Sequence, residues 1–160
     1  MPSRDYLLRL IEQVGQLLAR VVEQRQNHAP QEALQSVMAA CERLFGLSAV
    51  EIFQHTPDQH IRMLADGELP ETARDKILMY AALTAEAGRC YAELGNPPFA
   101  QQSFYNALRL TLRARRDYPA DRWPSFAPNV DDLLLRLADT PLDDDTATLL
   151  AATRSPTSGK

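Results

Sequence analysis

One stretch of the chain constrains its fold more than any other: a set of small and large residues placed around a tight turn. Gly95-Asn96-Pro97-Pro98 does not continue a helix. Glycine and asparagine accept the left-handed conformation at a helix end, and proline has no N–H to give to a helix interior. Before the turn, Gly88 and Tyr91 stand three residues apart, and after it Ala100, Phe104 and Ala107 are spaced four and three apart. Residues at those spacings share one helix face. So short a connection makes the two flanking helices antiparallel neighbours. Gly88 and Ala100 then let the backbones approach, Tyr91 and Phe104 fill the space beside them, and Ala107 permits contact further along. The pattern predicts a helical hairpin over about residues 83–116.

This pattern resembles the tetratricopeptide repeat, whose consensus has a glycine, a tyrosine three residues on, then alanine, phenylalanine and alanine in the second helix. Gly88, Tyr91, Ala100, Phe104 and Ala107 match it at the repeat's spacing. Thr84 replaces the opening tryptophan, Ala87 the usual leucine and Leu112 the terminal proline, with Pro119 arriving later. Only one good copy is present, because Gln31 to Asp66 lacks the glycine–tyrosine pair. A solenoid takes about three repeats for stability, so a long superhelix is not expected. The resemblance implies an all-α fold, a right-handed helical array of antiparallel hairpins of tetratricopeptide-like kind. The opening segment Asp5-Tyr6-Leu7-Leu8-Arg9-Leu10-Ile11-Glu12-Gln13, followed by Leu17-Leu18-Ala19, is also similar to the start of an uncharacterised bacterial family. Its members carry a long first helix and a later tetratricopeptide-like hairpin. That likeness spans roughly residues 5–116 and implies a fold without an activity.

The remaining pattern is helical throughout. Leu7, Ile11, Val14, Leu18 and Val21 repeat at 4-3-4-3 spacing along a first helix from Ser3 to Gln26, as in a coiled-coil seam. Leu10, Leu17 and Val22 widen the stripe beyond one neighbour's reach, which makes Leu7, Ile11, Val14, Leu18 and Val21 a candidate oligomer interface. Pro30 and Gly46 bracket a second helix. Ser48 and Thr56-Pro57 start two short ones. Asp66-Gly67 is a turn, and a long helix follows from Pro70 or Glu71 to Leu94. After the hairpin, the aromatics of Tyr118 to Phe126 form a loop expected to fold back on the core. Helices from about Asn129 and Asp143 end the pattern. Nothing alternates with period 2. One helical domain over residues 1–153 and a flexible tail over 154–160 are expected.

A net charge of −4 gives no electrostatic reason to expect nucleic acid. No run approaches the roughly 18 apolar residues of a membrane helix, and Met1 to Asp5 does not read as a signal peptide. A cytoplasmic location in a bacterial cell follows as a default. Cys41 and Cys90, set in helical apolar surroundings without a CxxC spacing, are expected as buried, reduced thiols.

Candidate chemistry is sparse. His28, His55 and His60 lack the spacing of a metal site and are expected on the polar surface. Asp131-Asp132 and Asp143-Asp144-Asp145 sit where helices begin, so the helix dipole accounts for them. No serine lies in a G-x-S-x-G turn, and no glycine-rich phosphate loop occurs. No catalytic residue, metal ligand or cofactor is expected. Arg109, Arg113 and Arg116 share a helix face that reads as solvated and paired with Glu86 or Glu93, or as a patch for a carboxylate partner. Together with Arg89 and Glu93 they form a candidate binding surface. Ala82, Ala85 and Ala92 beside Arg89 suit packing against another helix. These features predict a helical protein–protein interaction or assembly module, not an enzyme, with a protein partner or a second copy of itself, as a homo-oligomer, for its partner. The alternative is a small-ligand binding or sensing domain with a pocket between helices near Tyr80, Tyr91 and Arg89.

Overall fold

The computed structural model describes residues 3–154. Helix α1 (Ser3–Gln26) is followed by α2 (Pro30–Phe45), which starts on a proline and ends at Gly46. Gly46 has φ 71° and donates its N–H back to the Glu42 carbonyl, a conformation that costs glycine little. Helices α3 (Ala49–Gln54) and α4 (Pro57–Ala65) each open with a reciprocal capping box, Ser48 with Glu51 and Thr56 with Gln59. The segment considered as a degenerate second repeat thus holds three helices, not a pair. Then come α5 (Pro70–Glu93), α6 (Pro97–Asp117), α7 (Val130–Arg136) and α8 (Asp144–Arg154). No strand occurs among the described residues.

Helix α5 is the centre of the molecule. Ile77, Leu78, Met79, Tyr80 and Ala81 are consecutive and all at most 2% exposed. Five buried residues in a row cover more than a full turn, so the helix is enclosed on every side. It packs against α1, α2, α4 and α6.

The contact between α5 and α6 rests on size. A Cβ added at Gly88 would lie 2.7 Å from Phe104 Cε1. Nearer the turn, the Tyr91 and Phe99 rings meet edge-on with centroids 5.3 Å apart. Residue 88 against 104 and 91 against 99 makes the two helices antiparallel.

The α1 stripe is covered by the same chain. Leu7, Val14 and Val21 are buried, and Ile11 and Leu18 are half-buried where α1 packs on α2 and α5. The stripe offered as an oligomer interface is therefore already occupied in the monomer fold, and Tyr6 and Leu8 are the large apolar residues that α1 leaves exposed. Ala82 and Ala85 are buried as well, whereas Ala92 is exposed. Tyr118, Trp123 and Phe126 fold back as half-buried residues on the core, with the Arg115 guanidinium 4.9 Å above the Trp123 ring. Cys41 and Cys90 are buried free thiols. The tail expected over 154–160 lies outside the described residues apart from Arg154, which closes α8. No described helix is long and apolar enough to cross a membrane.

Candidate binding cleft

The five polar residues expected to form one surface fall into two ion networks. On α6, Arg109 and Arg113 turn to Asp58 at the start of α4, at 3.2 and 2.8 Å. Arg109 also donates to the Thr146 hydroxyl at 3.1 Å, tying in α8. Burial pushes the Asp58 carboxyl up, but the two arginines outweigh it and hold it below its ordinary value. Arg113 and Arg116 share Asp117. The expected partners Glu86 and Glu93 are thus replaced by Asp58, Asp117 and Asp143, since Glu86 and Glu93 belong to the second network. There, Arg89 holds Glu86 at 2.9 Å and Asp132 at 2.8 Å. Arg25 of α1 reaches Glu86 at 3.2 Å and Glu93 at 3.0 Å. These guanidinium groups bind α1, α5 and α7 together, and α4 to α6, so their charges are engaged inside the chain.

The acidic pairs are engaged too. Asp143 accepts the Thr146 N–H at 2.7 Å, which caps α8 and holds that carboxyl low. Asp132 joins Arg89 and Arg136, and Asp131 pairs with Arg154. Among the described residues no three His, Cys, Asp or Glu side chains gather as metal ligands.

His60 departs from the expected polar surface. It is 1% exposed, because α4 turns His60, Ile61 and Leu64 inward. Its Nε2 lies 3.2 Å from the Glu51 carbonyl, which only accepts, so Nε2 carries the proton. Nδ1 is then free to accept from the Tyr80 hydroxyl at 3.4 Å. His55 donates through Nδ1 to the same carbonyl at 3.0 Å. Burial pushes His60 below its ordinary value.

Beside these histidines a cleft of about 520 Å³ opens between α2, α3, α5 and α6. Each wall is one helix face. Tyr80, Thr84, Ala87 and Tyr91 of α5 form the floor, at spacings of four, three and four. Phe99, Gln102, Ser103 and Asn106 of α6 form one side, at i, i+3, i+4 and i+7. Val37, Met38 and Cys41 of α2 stand opposite, and Ile52 and Phe53 of α3 reach over the rim. The half-exposed rings of Phe53 and Phe99 touch at 5.6 Å between centroids, bridging α3 to α6. No carboxylate, ammonium or guanidinium lines the cleft, and His55 is the one basic side chain in its lining. Burial pushes the Cys41 thiol up to about 12 and raises Tyr80 and Tyr91, so all three are uncharged near neutral pH. Tyr91 and Ser103 are each 8% exposed, and neither hydroxyl has a hydrogen-bond partner among the described residues.

No protein-family model, curated protein or solved structure matches the chain.

Of the residues expected near an interhelical pocket, Tyr80 and Tyr91 line this cleft. Arg89 lines a second hollow of about 440 Å³ under the loop before α7, where its charge is already paired. The α6 wall was not anticipated. Its signal was present in the helical spacing of Phe99, Gln102, Ser103 and Asn106, on a flank of α6 adjoining the one that carries Ala100, Phe104 and Ala107.

Proposed function

We propose that this chain is a non-catalytic binding module on a tetratricopeptide-like helical scaffold, with its recognition site in the cleft between α2–α3 and α5–α6. One observation carries this: a concave site of about 520 Å³ walled by aromatic and aliphatic side chains, a size and lining common in ligand sites. The arginine face and the first-helix stripe, by contrast, are taken up by contacts within the chain. A thermal-shift screen of small metabolites and fragments tests it. A ligand at about 100 times its Kd adds about 2.7 kcal/mol to the unfolding free energy, worth about 5–10 °C in a domain of this size. The shift is lost in Ala87→Phe, which fills the floor. A flat screen, or hits that survive the substitution, would count against the cleft.

The exposed apolar lip of Phe53 and Phe99 favours a second reading, in which an apolar face of a partner protein or a second copy seats over the same opening and the chain acts as an interaction or assembly module. Sedimentation at micromolar concentration separates the two. A concentration-dependent dimer abolished by Phe53→Ser supports self-assembly, and a monomer at every concentration removes it.

A further inference from the structure

We infer that the cleft takes an uncharged, ring-bearing small molecule that carries one hydroxyl or carbonyl group, held through Tyr91 and Ser103. This rests on the cleft being the recognition site and names what enters it. The first ground is electrostatic. An ionised ligand entering a lining that holds no carboxylate, ammonium or guanidinium, and whose one imidazole, His55, already spends Nδ1 on the Glu51 carbonyl, would give up water for little counter-charge. A neutral molecule avoids that penalty. The second ground is the pair of unused hydroxyls. Tyr91 and Ser103 are more than nine-tenths buried, line the same cleft from facing helices and lack partners among the described residues. Among the described residues the one buried side-chain nitrogen or oxygen without a partner is Arg115 Nε, so the Tyr91 and Ser103 oxygens open onto the cleft and are free to bond an occupant. Each hydroxyl both donates and accepts, which suits a hydroxyl or carbonyl group equally. The third ground is closure. The Phe53–Phe99 contact bridges α3 to α6 at the rim, and Phe99 in turn meets Tyr91. An extended peptide would have to part these rings, whereas a compact ring system stacks against them.

The test uses three probes that share one ring system: 2-naphthol, naphthalene and 2-naphthalenesulfonate, titrated into the whole chain and followed by probe fluorescence. The expected order is naphthol tightest, naphthalene about threefold to tenfold weaker for want of the hydrogen bond, and the sulfonate at least about tenfold weaker again. In Tyr91→Phe/Ser103→Ala, which keeps the shape of the cleft, naphthol loses its advantage over naphthalene. Sulfonate binding as tight as naphthol would overturn the inference of a neutral ligand, and an unchanged naphthol advantage in the double variant would overturn the role of the hydroxyls. In both cases the cleft itself survives if Ala87→Phe abolishes binding of every probe. Should Ala87→Phe not fold, Asn106→Trp at the half-buried rim occludes the same space. Failure of all three probes to bind, or binding indifferent to occlusion, overturns the ligand class and the cleft together.

Discussion

Replacing Gly88 by alanine sets two ordinary effects against each other, and the structure says which wins. Gly88 lies inside α5, where alanine would gain about 1 kcal/mol of helix propensity. The added methyl, however, would sit 2.7, 2.8 and 3.0 Å from three ring carbons of Phe104. That ring is 4% exposed and carries the Arg136 guanidinium at 5.2 Å on its face, so it has little room to retreat. Overpacking of this kind costs about 1–3 kcal/mol. The net expectation is a loss of about 1 kcal/mol, or about 2–4 °C in melting temperature. Urea unfolding followed by helical ellipticity measures it. A cycle makes the cause specific. Phe104→Leu alone costs roughly 1–2 kcal/mol in lost contacts, but it also vacates the space the methyl needs. The double variant should therefore be less destabilised than the sum of the singles by about 1 kcal/mol. A Gly88→Ala chain more stable than wild type, with additive behaviour in the cycle, would refute the close approach of α5 and α6.

Other consequences are smaller but equally definite. Asp58→Asn should cost about 0.5–1 kcal/mol, a modest figure because the carboxylate is partly exposed. Since Asp58 is held below its ordinary value of 3.8, its contribution is present above that pH and is lost as the pH falls below it, so acid unfolding of the variant should be the less steep in that range. His60 is held below its ordinary value of 6.5, so the unfolded chain takes up its proton first. Stability should decline as the pH falls below about 6.5, and denaturant titrations of His60→Gln should show a shallower decline. Glu86→Ala removes a carboxylate that is 11% exposed between Arg25 and Arg89. Because Glu93 and Asp132 remain to those arginines, the loss should be about 1–2 kcal/mol rather than the roughly 3–5 of an orphaned buried charge, measurable by chemical unfolding.

Helix placement was legible because its signals are local. Gly46, Ser48, Thr56-Pro57 and Gly95 each act within a turn of their own position, and helix ends fall within a few residues of the expected ones. That α5 and α6 pack on each other was legible because a short turn fixes which faces meet, but the seating of the Phe104 ring on Gly88 was not, since the expected neighbour of Gly88 was Ala100. What could not be read depends on distant partners. Asp58 lies 51 and 55 residues before the arginines it holds, and no spacing rule connects them. The burial of His60 follows from α4 packing on α5, and a lone histidine on a short helix gives no hint of which way it turns. The first-helix stripe was correctly apolar, but periodicity says that a surface is covered without saying by which chain. Half of the cleft was foreseen in Tyr80 and Tyr91; the other wall depends on where α2 and α3 come to lie.

Helix α3 has no buried residue of its own and is held by one capping box, by two histidines on a single carbonyl, by half-buried Ile52 and by the half-exposed Phe53–Phe99 contact. Protection against amide exchange should therefore be uneven, with residues 49–54 opening at a small fraction of the free energy that exposes the enclosed centre of α5. The rim of the cleft would then breathe on its own while the floor stays folded. Entry and release would be governed by that local opening, and any occupant would slow exchange in α3 far more than in the rest of the chain.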